Sequence, residues 1–115
     1  MCQLGNPWFQ DAAEVLYKND SVYADNSRLT LGEFNYEFER YVAMRLKDMI
    51  TYMGDPGRQL MYGSDWPLVH MKPYVKLVGE LNLNPALLEN VAWKTAARLL
   101  RIDESVLVRP PAAEA

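Results

Sequence analysis

Two short apolar runs, Ser21 to Ala24 (SVYA) and Gln59 to Tyr62 (QLMY), bracket a long stretch of helical periodicity from about Asn35 to Met53. Each run has the length of a strand and is closed by turn formers. Between them Phe38, Tyr41, Val42, Met49, Ile50 and Met53, with Leu46 among them, fall on one side of a helix. Strands alternating with amphipathic helices imply parallel βα units, so the fold class is α/β.

The pattern extends both ways along the chain. Asn6-Pro7 reads as a helix start, predicting a helix from about Pro7 to Lys18 with Trp8, Ala12, Val15 and Leu16 on its apolar stripe, widened by Phe9 and Ala13. Residues 1–4, MCQL, read as the end of an earlier strand, and residues 28–34 are ambiguous. Gly54-Asp55-Pro56-Gly57 is a stop. After QLMY a loop runs from Ser64 to about His70, and Pro73 falls in the first turn of a helix that reaches Leu81. Asn84-Pro85 starts the last helical stretch, 85–101, as one bent helix or two short ones, with Leu87, Leu88, Val91, Ala92, Ala96, Leu99 and Leu100 at helical spacing. The tail, VLVRPPAAEA, is expected to fray. The predicted order is helix, strand, helix, strand, helix, helix, with no internal repeat. The domain reading is one α/β unit over 1–102 followed by a tail at 103–115.

Composition removes several function classes. Of the 115 residues 50% are hydrophobic and 23% charged, which fits a folded domain. The net charge is −3 and the basic residues are scattered, so nucleic-acid binding is not expected. Apolar stretches are too short for a transmembrane span, and the N-terminus lacks a secretory pattern, so no membrane partner and a cytoplasmic setting are expected. Cys2 is the only cysteine and His70 the only histidine, which rules out an internal disulfide, a CxxC site and the imidazole pair of a catalytic zinc site built from this chain alone.

In parallel βα architectures ligands bind beyond the carboxyl ends of the strands. Three candidates stand there: Gln3 after the first strand remnant, Asp25 after the second and Asp65 after the third. Gly63 permits a sharp turn, Ser64 can bond locally, and Pro67 stiffens the exit. An Asp after a strand also serves as a turn former or helix cap, and Trp66 as a packed lid or a substrate platform. Both readings stand at this point.

YGSDWP at 62–67 resembles the eighth-strand signature of the amidohydrolase superfamily, and more narrowly its amidohydrolase-2 branch, metal-dependent hydrolases of TIM-barrel fold that include some decarboxylases. LGNPWFQDAAEVLYKNDSVYAD (4–25) is similar to that family's segment from strand six to strand seven, and LNPALLENVAWKTAARLLRI (83–102) to its closing helices. The resemblance implies that the chain is the C-terminal three βα units of a (β/α)8 barrel, beginning inside strand six and covering on the order of 40% of a barrel of roughly 250–300 residues.

It further implies that Asp65 is a metal ligand or general base in the complete barrel, with zinc or manganese activating a water to attack a C–N or C–O bond of a small-molecule substrate. Gln3, Asp25 and Trp66 become pocket contacts. Three departures bear on that role: the family's His-x-His pair and its fifth-strand histidine are absent here, and Gln3 stands where a histidine usually precedes Leu-Gly. The chain alone is therefore expected to hold no metal tightly and to be inactive. A non-catalytic remnant or interaction protein is the alternative, and a decarboxylase of the same fold a further one. A partial barrel leaves open strand edges, so self-association or pairing with the missing N-terminal barrel half is expected.

Overall fold

A computed structural model of the chain describes residues 1–30, 34–54 and 58–107. Of the stop at 54–57 only Gly54 lies among them, and most of the tail expected to fray lies outside them. The elements are α1 (Phe9–Lys18), β1 (Ala24–Asp25), α2 (Tyr36–Met53), β2 (Leu60–Met61), α3 (Met71–Glu80), α4 (Pro85–Glu89), a π turn at Asn90–Lys94 and α5 (Thr95–Leu100). Short 3-10 turns occupy Gln3–Gly5 and Glu104–Val106. The order matches the one expected.

β1 and β2 pair in parallel, Ala24 opposite Leu60 and Asp25 opposite Met61, with α2 as the crossover. The expected remnant of an earlier strand is confined to Met1. Its amino group donates to the Tyr23 carbonyl at 2.6 Å and its carbonyl accepts from Asp25 N at 3.0 Å. Those two bonds are one rung of a parallel ladder on the edge of β1 away from β2. Gln3 and Leu4 then turn left-handed, at φ 57° and 53°, and the chain leaves the sheet. The spatial order Met1, β1, β2 follows the chain order, as consecutive βα units require. The outer edge of β2 is closed differently: Tyr62 N donates to the Val91 carbonyl of the π turn at 2.7 Å.

The helix start predicted at Asn6-Pro7 is corrected. α1 begins at Phe9, and Trp8 before it makes no side-chain cap. Asn6 instead ends the first 3-10 turn and donates its Nδ2 to the Leu29 carbonyl at 3.4 Å, so its side chain is not free to cap. The stripe is also rephased. Phe9, Ala12, Ala13 and Leu16 are buried, whereas Trp8 is 68% exposed and Val15 41% exposed. This is helical spacing counted from Phe9, with two alanines letting α2 approach closely.

α2 has the extent predicted, but Tyr41, expected on its apolar side, is exposed. Asn35 Oδ1 accepts from Phe38 N at 2.8 Å, Glu37 and Glu39 sit in the first turn where the helix dipole favours them, and Gly54 ends the helix at φ 67°. Val42, Leu46, Met49 and Met53 are buried, while Tyr41 faces outward. α3 carries Pro73 in its first turn and is followed by the buried Leu81. The buried Tyr74 hydroxyl donates to the Thr30 carbonyl at 3.2 Å, joining α3 to the loop after β1.

Asn84 caps α4 as predicted, accepting from Leu87 N at 2.9 Å, with Pro85 at the first helical position. The stretch beyond is one helix carrying a π turn. The extra residue of that turn shifts the phase of everything after it. Thr95 and Ala97 become buried, and Leu99 and Leu100, expected on the apolar stripe, are exposed. Among the described residues no helix is long and apolar enough to cross a membrane.

Candidate active site at the strand ends

Alternation along the strands puts Tyr23, Asp25, Met61 and Gly63 on one face of the sheet and Ala24 and Leu60 on the other. Ala24 and Leu60 are buried, whereas the first face is only half-buried. At its carboxyl end the segment 25–28, Asp-Asn-Ser-Arg, touches each of the neighbouring chain exits.

Asp25 is half-buried, and its Oδ1 accepts from Ser27 N at 2.9 Å, an Asx turn, and more weakly from Gln3 N at 3.5 Å. The contact to Gln3 is thus made by the backbone N–H. Gly63 is what admits Asp25 there. A Cβ on Gly63 would stand 3.3 Å from both Cβ and Oδ1 of Asp25 and 3.2 Å from Cβ of Ser27. Asn26, only 1% exposed, continues the ladder through its N–H to the Met61 carbonyl at 3.3 Å. Its Oδ1 accepts from Gly63 N at 2.8 Å, and its buried Nδ2 has no partner among the described residues.

Asp65 sits in the turn that follows, with left-handed backbone at φ 66°. Its carbonyl accepts from Leu68 N at 3.0 Å, and Ser64 Oγ accepts from Trp66 N at 3.2 Å, so the turn is fixed from within. The Asp65 carboxylate is half exposed, and its Oδ2 lies 3.1 Å from Nε of Arg28. Trp66 extends outward, 69% exposed, and covers no core. Burial pushes the Tyr62 phenol upward, with the Ser64 hydroxyl pulling the other way.

The structure therefore joins Gln3 to Asp25 directly and ties Asp65 into the same loop through Arg28. Trp66 stands beside this group on the surface. Asn26 and Arg28 were missed in the sequence, where Asn26 reads as one of the turn formers closing the first strand and Arg28 falls in the ambiguous stretch 28–34. The one available signal is four hydrogen-bonding side chains in succession after a strand. A cleft of about 400 Å³ lies between α1 and α2, but Phe9, Arg45, Met49 and Tyr52 line it and none of the four candidates does.

These residues do not make up a metal site by themselves. Among the described residues no three His, Cys, Asp or Glu side chains stand together, and the one carboxylate expected at a metal faces a guanidinium. His70, the only histidine, is exposed at the start of α3.

Comparison with curated proteins and with solved structures finds no match. The family model described as Amidohydrolase matches residues 3–102, which takes in Gln3, the 25–28 segment, Asp65 and the closing helices. With most of its length matched, and with a parallel βαβ unit carrying carboxylates at its strand ends, the chain belongs to the amidohydrolase family.

Proposed function

We propose that this chain contributes three consecutive βα units of a (β/α)8 barrel hydrolase, with Asp65 as a working carboxylate at the barrel mouth. The observation that carries this is the position of Asp65. It follows a parallel strand, on the face where such architectures bind ligands, and Arg28 links it to the loop that also holds Asp25 and Gln3. The half-buried face of Tyr23, Asp25, Met61 and Gly63 supports the same reading, since a barrel interior would cover it.

In the complete site Asp65 acts as a proton acceptor for a water attacking a C–N or C–O bond of a small molecule, and Arg28 holds its carboxylate at the mouth. Family membership points to a divalent metal, and zinc or manganese is the candidate we propose. The histidines such a metal needs come from strands outside these 115 residues, in partner chains or in further sequence. A second reading, a non-catalytic interaction protein, is favoured by the Arg28–Asp65 pair, because a carboxylate already matched to a guanidinium has no need of a metal.

The test is to capture the native product from its own cells, measure bound metal and assay amide and ester hydrolysis. The proposal expects zinc or manganese and an activity that Asp65→Asn lowers by about 10²–10⁴-fold. Metal-free product without hydrolysis supports the second reading. Full activity in Asp65→Asn overturns the role given to Asp65.

A further inference from the structure

We infer that Asn26 is the positioning residue for the strand exit that presents Asp65. This rests on the reading of Asp65 as the working carboxylate, but the structural part can be measured without any activity.

Regular pairing between β1 and β2 stops at Asp25 and Met61. Two residues past the end of β2 the chain must turn at a fixed point if Asp65 is to project reproducibly. Gly63 has no side chain to anchor it, and its ladder partner is not a backbone group. Its N–H is taken by the Asn26 side chain at 2.8 Å, while the Asn26 backbone N–H reaches back to Met61 at 3.3 Å. Asn26 thus clamps both ends of the short link from Met61 to Gly63. The acceptor assignment is unambiguous, because a backbone N–H can be met only by the amide oxygen.

Burial makes the clamp rigid. Asn26 is 1% exposed, so bulk water does not reach its oxygen. Its Nδ2 is left without a partner among the described residues, which is an unfavourable arrangement for a buried amide. The chain tolerates the orphaned donor because the oxygen is needed at Gly63, and a hydrophobic residue in its place would supply no acceptor. Arg28, two residues on, then reaches Asp65. One loop sets both the height of the strand exit and the orientation of its carboxylate.

The test is amide hydrogen exchange by NMR on the full chain, with Gly63 compared with Tyr62. Tyr62 is the built-in control: its N–H goes to the Val91 carbonyl at 2.7 Å, a bond in which the Asn26 side chain takes no part. In the wild-type chain Gly63 is expected to be protected. In Asn26→Leu, of similar volume but without an acceptor, Gly63 exchanges about tenfold faster or more relative to Tyr62. Asn26→Asp, which keeps an acceptor oxygen, restores the ratio. A purely structural role for Asn26 would speed both amides together and leave their ratio unchanged, which overturns the inference. So does an unprotected Gly63 in the wild type, a result that needs no variant to fold. In the native assembly Asn26→Leu is expected to lower kcat with KM nearly unchanged. If the exchange result holds and the assembly has no activity in any form, the positioning stands and the role of Asp65 is what fails.

Discussion

Replacing Gly5 by alanine should reveal how tightly the first turn is pressed against α1, and Gly54 provides the matching control. Both glycines have left-handed backbone, at φ 72° and 67°. Alanine in that region carries a backbone penalty of about 1 kcal/mol at either site, part of it offset by the stiffer unfolded chain. The surroundings differ. At Gly54 a new Cβ meets nothing within 4 Å among the described residues. At Gly5 it would stand 2.6 Å from Cβ of Ala12 and 3.2 Å from Sδ of Met1. The methionine can swing away. Ala12 cannot, because it is 4% exposed on the buried face of α1 and has no rotamer to change. Relief requires α1 or the 3-10 turn to shift, an overpacking effect of about 1–3 kcal/mol. Gly5→Ala is therefore expected to lose about 2–4 kcal/mol and Gly54→Ala about 1 kcal/mol or less. Urea unfolding followed by circular dichroism, with both variants at one protein concentration, reads the difference directly. Equal midpoints for the two variants would refute the close approach of Gly5 to Ala12.

Three further outcomes can be checked alongside. Leu46→Ala, at a site 1% exposed in the middle of α2, should cost about 2–5 kcal/mol in the same assay, whereas Met44→Ala, 53% exposed, should stay within about 0.5 kcal/mol. Asp65→Asn should change stability by less than about 1 kcal/mol, since the Arg28 pair it breaks is 38% and 40% exposed. Burial raises the Tyr62 phenol above its ordinary 10.0, so the unfolded chain releases that proton first. Stability should then be intact below pH 10.0 and fall as pH rises through the folded value, and Tyr62→Phe should remove that part of the alkaline loss.

How far the sequence revealed the site can be judged from one repeated dipeptide. Asn84-Pro85 and Asn6-Pro7 carry the same local signal, yet Asn84 caps a helix and Asn6 bonds to the Leu29 carbonyl. What separates them is a tertiary contact that no local pattern records. The strand ends were legible for the opposite reason. Gly63 closes an apolar run and Asp65 follows it, so period and turn chemistry are enough to put a carboxylate beyond a strand. Asn26 and Arg28 escaped because their partners lie far along the chain, Gly63 being 37 residues from Asn26. The π turn at Asn90–Lys94 also left no mark, since one extra residue in a turn changes no composition. It nonetheless decides which side of α5 is buried, exposing Leu99 and Leu100. Local pattern thus gave the parallel βαβ order, and long-range bonds gave the loop that organises its end.

Asp65 is proposed to work inside a larger barrel whose other strands carry the metal-binding groups. The most direct measurement is the intact mass and metal content of the native assembly that contains this chain. The expected result is a mass well above 13.2 kDa, histidine-bearing strands in the same assembly, and bound zinc or manganese. A metal-free species at 13.2 kDa, folding cooperatively as a monomer, would contradict it.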